Sequence, residues 1–226
     1  MGNYINVAID GPSGAGKSSV AKKAAALLGY IYVDTGALYR TVAYYCISKG
    51  IDPKSEKDVE AILHEITIGI RYIDGNQHVF LNGDDVSGYI RTPDVSMGAS
   101  AVSAHGAVRK FLFNTQRDIA NSNNVIMDGR DVGTVILPDA QVKIFLTASP
   151  EARAQRRYAE HIQRGEPCTF STILAEIIER DYNDSHREIA PLKQAEDAIL
   201  VDNSNLDFEQ SLQAVLKVID SVVKGQ

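Results

Sequence analysis

The segment GPSGAGKS at residues 11–18 constrains the fold of this chain more than any other part of it. It matches the pattern G-x-x-x-x-G-K followed by Ser or Thr at every fixed position, with an apolar run before it (residues 4–9) and a helix-prone run after it (residues 18–28). A glycine-rich loop between a strand and a helix forms an anion site, because backbone N–H groups and the positive end of the helix point to one place. The sequence therefore predicts an α/β fold that binds a nucleoside triphosphate.

Two side chains of this loop have predicted chemical roles. Lys17 is expected to place its ammonium group on the transferred phosphoryl group, and Ser18 to offer its hydroxyl to Mg2+. The residues predicted to bind the triphosphate are Gly11, Pro12, Ser13, Gly14, Ala15, Gly16, Lys17, Ser18 and Ser19. The loop alone does not separate a kinase from an ATPase motor or a GTPase switch. However, the Asn-Lys-x-Asp segment of guanine-reading enzymes is absent from the sequence, and 226 residues are few for a mechanical ATPase.

The order of segments predicts one α/β unit with an insertion. Further apolar strands are predicted at residues 31–33, 125–127, 142–146 and 198–201, with helices at residues 37–48, 101–121, 171–188 and 207–223 and another beginning at Pro150. Such strands, separated by helices, indicate a parallel sheet covered on both faces. In residues 52–94, a short helix after Ser55 and the alternation from Ile66 to Tyr72 before Asp-Gly-Asn instead predict an antiparallel lobe. We expect a core at residues 1–36, 95–150 and 190–226, and an insertion at residues 37–94.

Composition excludes several classes of protein. A net charge of -6 argues against a general nucleic-acid surface, although ten of the twelve arginines lie between Arg91 and Arg187 and can concentrate positive charge in a cleft. The two cysteines, Cys46 and Cys168, form no CxxC pair, so neither a metal cage nor a disulfide framework is predicted. With no apolar leader and no apolar run of about 18 residues, we expect a cytoplasmic protein that does not span a membrane.

A second anion site is predicted beside the phosphate loop. Arg40, in the segment DTGALYR, and Arg130 each follow a predicted strand, so both lie at the carboxyl edge of the sheet. Arg180, Asp184 and Arg187 share one face of the helix at residues 171–188, because their spacings are four and seven. A solvated ion-pair ladder would show the same spacing. Converging arginines favour a kinase whose acceptor is itself a phosphate.

Residues 151–170 are predicted to form a lid. Arg153, Arg157, His161 and Arg164 recur at helical spacing, and Arg156 lies beside them. Cations on adjacent turns repel one another, and an incoming polyphosphate would offset that repulsion. We expect this helix and the loop at residues 165–169 to close over the triphosphate and exclude water. The alternative is a basic face exposed to solvent.

The segments GPSGAGKS, DTGALYR, DGRDVGT, KIFLTA, RRYAE and ERDYNDSHREIAPL occur in this order over nearly the whole chain, which thereby resembles the bacterial cytidylate kinase family. The resemblance implies a nucleoside monophosphate kinase fold: a five-stranded parallel core, a monophosphate-binding insertion and a short lid. It also implies transfer of phosphate from ATP to CMP or dCMP with Mg2+, by a cytoplasmic monomer.

The same resemblance implies roles for individual residues. Arg40, Arg130 and Arg187 would hold the acceptor phosphate with help from Ser13 and Lys17. Ser100, Arg109 and Asp131 would read cytosine, Arg180 and Asp184 would hold the ribose, and Arg153 and Arg157 would belong to the lid. The implied catalytic set is Lys17, Arg130, Arg180, Arg153 and Arg157. Thr35 stands where many relatives have serine, so its methyl group could crowd the acceptor, and Ser18-Ser19 stands where Gly-Thr is common.

Chemical reasoning agrees with these roles. Asp131 can accept from the exocyclic amine of cytosine, which uracil lacks. Asp128, at the end of the strand at residues 125–127, is expected to approach Mg2+ or its waters. The second pKa of the acceptor phosphate is about 6, so its oxygen needs no strong base. Two alternatives remain: a kinase for another monophosphate such as UMP or AMP, and a non-catalytic nucleotide switch or regulatory ATPase.

Overall fold

The described residues, 4–224 of the computed structural model, form a parallel sheet with helices on both faces and a smaller antiparallel sheet beside it. The strands are β1 (Asn6–Asp10), β2 (Ile31–Asp34), β3 (Ile68–Ile73), β4 (Asn76–Leu81), β5 (Asp84–Asp85), β6 (Val125–Gly129), β7 (Val142–Thr147) and β8 (Ile199–Asp202). The helices are α1 (Lys17–Leu28), α2 (Thr35–Ser48), α3 (Glu56–Ile62), α4 (Pro93–Val102), α5 (Gly106–Ser122), α6 (Pro150–Gln163), α7 (Phe170–His186) and α8 (Phe208–Val223).

The large sheet has five strands in the order β2-β6-β1-β7-β8, all parallel, which confirms the predicted fold class. Three neighbouring strands carry aspartates at their carboxyl ends. Asp34 pairs in register with Asp128, and Asp10 with Gly129. Because ligands of open α/β sheets bind outside the carboxyl ends of the strands, this register brings the acidic strand ends to the predicted site.

The insertion contains the predicted hairpin. Strands β3 and β4 pair through a turn at Asp74 and Gly75, both with positive φ (50° and 73°), which is the geometry of a tight two-residue hairpin. Strand β5, which pairs with β4, was not predicted. Buried side chains of the antiparallel lobe (residues 52–94), such as Val79 and Ile90, share an apolar cluster with Leu38 and Val42 of α2. The small sheet therefore packs against α2, which joins the lobe to the core sheet.

The helix predicted at residues 101–121 corresponds to α5, but its predicted start is wrong, because residues 101–102 end a separate helix, α4, that was not predicted. Thr92 caps α4 through its side chain and Pro93 occupies the first turn, a start signal that the sequence reading overlooked. The chain leaves the helical path between Ser103 and His105. There the His105 ring contacts the carbonyl oxygen of Pro53 at 2.8 Å, a partner that lies 52 residues away in the chain.

Three other helices have well-formed ends. Gly29 ends α1 in the left-handed conformation, with φ of 68°. Ser149 accepts a hydrogen bond from the Ala152 N–H at the start of α6, and Asp207 forms a capping box on α8. Both cysteines are free thiols. Among the described residues, no helix is both long and apolar enough to cross a membrane.

Candidate active site

The phosphate loop is held open by backbone geometry that only glycine adopts easily. Gly11, Gly14 and Gly16 all have positive φ, at 149°, 77° and 83°. A Cβ atom on Gly11 would lie 2.0 Å from the Leu146 carbonyl oxygen of β7. The loop therefore packs against the neighbouring strand without space for a side chain, as the motif predicts.

Lys17 is buried at the start of α1, where its Nζ donates to the Pro12 carbonyl oxygen at 2.7 Å. Burial, and then the nearby Arg130 guanidinium, lowers the pKa of Lys17 well below its usual value. A phosphate group at the loop would supply the negative charge that this ammonium group needs. The position of Lys17 is consistent with its predicted role.

Arg153, predicted to belong to the lid, is buried and contacts both the phosphate loop and α7. Its side chain is 2% exposed, and its guanidinium donates to the Ser13 carbonyl oxygen at 3.0 Å and twice to the Asp181 carboxylate of α7. Arg156 likewise donates to Asn203. Two of the basic side chains of α6 are thus already engaged in structural contacts. Arg157 is half-buried on α6, and the catalytic roles of Arg153 and Arg157 stay predictions.

Ser18 and Asp128, the two residues predicted to face a metal ion, are in direct contact. The Ser18 hydroxyl donates to the Asp128 carboxylate at 2.8 Å, and the Tyr32 hydroxyl donates to the other oxygen at 3.0 Å. Burial, and then the Asp34 carboxylate, raises the pKa of Asp128 to about 6. A cation would relieve both effects. No cluster of three His, Cys, Asp or Glu side chains suited to a metal occurs in residues 4–224.

An open cleft of about 610 Å³ lies between the carboxyl edge of the sheet and α2, α4, α5 and α7. Thr35 and all the residues predicted to hold the acceptor line it, except Ser13 and Lys17 of the phosphate loop, and the two predicted metal-facing residues line it as well. These residues are Ser18, Thr35, Arg40, Ser100, Arg109, Asp128, Arg130, Asp131, Arg180, Asp184 and Arg187. The structure thus brings together residues that are up to 169 positions apart in the chain, from Ser18 to Arg187.

One part of the cleft is organised around Asp131. Its carboxylate is paired with Arg109, and Arg187 lies 3.4 Å from its other oxygen. Arg109 also donates to the Ser103 carbonyl oxygen, and Arg187 donates to the Ser103 hydroxyl at 3.1 Å. All three charged side chains are nearly buried. Arg187 therefore lies with the residues predicted to read the base, although it was predicted to hold the phosphate.

Another part is organised around Asp184. The Arg130 Nε donates to its carboxylate at 2.9 Å, the Ser100 hydroxyl donates at 3.4 Å, and the Arg180 Nε lies 4.0 Å away. Burial alone would raise the pKa of Asp184, but Arg130 and Arg180 outweigh it and hold that pKa below its usual value. Burial, and then Arg130, lowers the pKa of Arg180 to about 10, so its guanidinium is still charged at neutral pH.

Arg40 is held by Asp34, whose carboxylate accepts from Arg40 Nη2 at 2.7 Å and from the Ala37 N–H at 2.9 Å. Within residues 4–224, the buried Nε atoms of Arg40 and Arg180 have no hydrogen-bond partner. Both residues line the cleft, so their guanidinium groups contribute positive charge to it.

Thr35 is placed by a structural contact as well as by the cleft. Its hydroxyl donates to the Asp128 carbonyl oxygen at 2.8 Å. A Cβ on Gly129 would lie 2.7 Å from that hydroxyl and 2.6 Å from the Val132 side chain, so glycine is required where α2 meets the end of β6. The hydroxyl of Thr35 is thereby fixed between two elements of the core.

Sequence reasoning missed several residues that organise the site. Asp10, buried at the end of β1, accepts from the Val132 N–H at 2.8 Å and the Gly133 N–H at 2.7 Å, and so holds the π-helical turn at Val132–Ile136 after Asp131. Its position directly before the phosphate loop, at the end of a predicted strand, could have identified it as a site residue. Ser103 gave no signal, because a helix was predicted through it. Asp181 follows Arg180 directly but was not expected to reach α6.

Comparison with known proteins places this geometry in a family. The cytidylate kinase family model matches residues 7–221. The chain is 49% identical to a cytidylate kinase of Caldicellulosiruptor bescii, over 98% of each chain. It is also 49% identical to a cytidylate kinase of Oceanobacillus iheyensis, over 97% of this chain and 95% of the other. A solved structure of an uncharacterised protein from Eubacterium ventriosum shares the fold, with a TM-score of 0.52, 14% identity and coverage of 96% and 99%.

Proposed function

Because the chain belongs to the cytidylate kinase family, we propose that it transfers the γ-phosphate of ATP to CMP or dCMP, giving ADP and CDP or dCDP. The observation that carries this proposal is the position of Asp131 in the cleft. Its carboxylate, held by Arg109 and Arg187, is an acceptor suited to the exocyclic amine of cytosine. Uracil would present a carbonyl oxygen to the same carboxylate, and the two would repel.

The acceptor phosphate is proposed to bind between Arg40, Arg130 and Arg180. The presence of all three guanidinium groups in the lining of one cleft supports this assignment, because converging cations suit a phosphate. Arg187, which contacts Asp131 instead, is proposed to share in holding the base side as well as the phosphate. Asp184 and Ser100, joined at 3.4 Å, remain the proposed partners of the ribose and base.

Mg2+ is the proposed cofactor, and the residues present fit it. Mg2+ takes one or two protein oxygens and completes its coordination with phosphates and water, so the Ser18 hydroxyl and the Asp128 carboxylate suffice. When bound, Mg2+ would neutralise charge on the outer phosphates of ATP. Burial and the Asp34 carboxylate raise the pKa of Asp128 to about 6, and a bound cation would favour its charged form.

The proposed mechanism relies on positioning and charge rather than on a base. The phosphate loop would fix the triphosphate, and the cleft arginines would fix the acceptor oxygen in line with it. Since the second pKa of the acceptor phosphate is about 6, its attacking oxygen is already anionic at neutral pH. Lys17 and Arg130 would then stabilise the charge that develops on the transferring group.

A coupled assay of ADP release tests the proposal. The protein with Mg·ATP is given CMP, dCMP, UMP, AMP or no acceptor in parallel. We expect ADP release to require an acceptor and to be fastest with CMP or dCMP. Equal ADP release without an acceptor would instead favour a regulatory ATPase, and faster use of UMP or AMP would favour a kinase for that monophosphate.

We propose further that the enzyme is a cytoplasmic monomer. Size-exclusion chromatography with light scattering would test its oligomeric state.

A further inference from the structure

The insertion meets the core at the outer edge of β2, and this contact has no part in the proposed chemistry. Strand β2 ends the sheet order β2-β6-β1-β7-β8, so one side of its backbone faces away from β6. The N–H and C=O groups on that side need partners from outside the sheet. Side chains of the β3–β4 hairpin are partners for three of these groups.

Two residues that lie opposite each other in the β3–β4 hairpin make these contacts. Tyr72 and Gln77 form a cross-strand pair in the register. The Gln77 side chain accepts from the Asp34 N–H at 2.8 Å and donates to the Asp34 carbonyl oxygen at 3.3 Å. The Tyr72 hydroxyl donates to the carbonyl oxygen of Tyr32 at 3.1 Å. The Gln77 amide thus pairs with both backbone groups of one residue, as a neighbouring strand would.

The residue that Gln77 holds is the one that positions Arg40. Asp34 is nearly buried, caps α2 and accepts from Arg40 at 2.7 Å. The packing there is close, since a Cβ on Gly36 would lie 3.0 Å from Arg40 Nη1. A shift of the Asp34 backbone would therefore move its carboxylate and the guanidinium that rests on it. Arg91 of the insertion lies 3.7 Å from the same carboxylate but is largely exposed, so its hold is weaker.

We propose that Gln77 is a positioning residue for the acceptor, which fixes Arg40 through the backbone and carboxylate of Asp34. The β3–β4 hairpin then affects monophosphate binding through its hydrogen bonds to β2, at the edge of the core sheet. Among the described residues, it makes no corresponding hydrogen bond to the phosphate loop. This inference rests on the proposed function, because it takes the anion held by Arg40 to be the phosphate of CMP. The small sheet of β3, β4 and β5 thereby gains a role in positioning the acceptor.

Steady-state kinetics of Gln77→Ala test the proposal. We expect the KM for CMP to rise about fivefold to tenfold, because two hydrogen bonds that fix Asp34 are lost. The KM for ATP should stay unchanged, and kcat should fall less than the KM for CMP rises. In an Arg40→Ala background, the same substitution should have almost no further effect on kcat/KM for CMP, because the residue through which it acts is already gone.

Two control variants separate positioning from general loosening of the insertion. Arg71→Ala removes a side chain that contacts the Phe80 ring within the same sheet, and should leave the KM for CMP unchanged. Tyr72→Phe removes only the bond to the Tyr32 carbonyl oxygen and should change that KM by less than Gln77→Ala does. Equal effects of Gln77→Ala and Arg71→Ala, an equal rise in the KM for ATP, or a full effect in the Arg40→Ala background would overturn the proposal. Turnover of CMP by the unaltered protein reports separately on the proposed function.

Discussion

The phosphate loop and the acceptor cleft lie at the same edge of the sheet, yet they are built differently. The loop is shaped by its own backbone: positive φ at three glycines and contact of Gly11 with Leu146 at a distance that admits no side chain. The cleft is shaped by charged side chains, with Asp34, Asp131 and Asp184 each holding arginines from other elements. The conformation of the loop is specified by its own glycines, although Gly11 also packs against Leu146 of β7, whereas the ion pairs of Asp131 and Asp184 join residues that lie far apart in the chain.

The largest effect is expected where the loop is sterically closed. Gly11→Ala would place a Cβ atom 2.0 Å from the Leu146 carbonyl oxygen at a φ of 149°. We expect a loss on the order of 4 kcal/mol in the free energy of unfolding, together with loss of ATP binding, because overlap and backbone strain add. Chemical denaturation and nucleotide titration measure both. Gly88→Ala, where a Cβ atom meets nothing within 4 Å, is the matched control and should be close to neutral.

Lys17→Ala tests the charge that the loop carries rather than its shape. We expect kcat to fall by about 10²–10³, because a contact to the transferring phosphoryl group is lost. Rapid-mix or coupled kinetics measure this, and a near-normal kcat would contradict the proposed mechanism. Lys22→Ala, on the exposed side of the same helix, should leave kcat unchanged.

Asp131→Asn tests whether the use of CMP can be altered without altering the binding of ATP. We expect kcat/KM for CMP to fall about 10- to 100-fold, while the KM for ATP stays the same. The ratio of UMP to CMP use should rise, because an amide can donate to the carbonyl oxygen of uracil where a carboxylate cannot. Competition between CMP and UMP at fixed ATP measures the ratio. If the KM for ATP rose equally, Asp131 would have to be reassigned to the metal side.

The smallest effect is expected from Asp10→Asn, which lies between the two regions. Burial, the first cause, raises the pKa of Asp10 to about 6 although the Val132 and Gly133 N–H groups lower it. The folded protein therefore binds a proton more tightly than the unfolded chain, and stability from this group falls as pH rises from about 4 to about 6. We expect the variant to lose this pH dependence of the free energy of unfolding.

Denaturation of the unliganded protein across pH 4–8 measures this change for Asp10→Asn. The exposed Asp139→Asn provides the control, because its carboxylate is in solvent and should leave the pH profile as it is. An unchanged profile in Asp10→Asn would show that the Asp10 carboxylate does not carry this proton.

The donor side could be predicted from sequence because its determinants are local. The pattern at residues 11–18 specifies the loop, and the parallel order of strands places Arg40 and Arg130 near it. The break between α4 and α5 could not be predicted in the same way, since His105 and Ser103 find their partners at Pro53 and Arg187, far along the chain. The contacts of Arg153 with Ser13 and Asp181 could not be predicted either, because these partners also lie far from it in the chain.

The pairing of four of the five cleft arginines with carboxylates has a consequence for how acceptor binding depends on ionic strength. Arg40, Arg109, Arg130 and Arg187 already contact Asp34, Asp131 or Asp184 within the described residues. An incoming monophosphate exchanges partners with groups that are already compensated, and does not neutralise a bare cluster of cations. Since buried pairs are little screened, added salt should weaken acceptor binding much less than the number of arginines suggests. The cleft is thus suited to select among anions at high ionic strength rather than to attract them by long-range electrostatics.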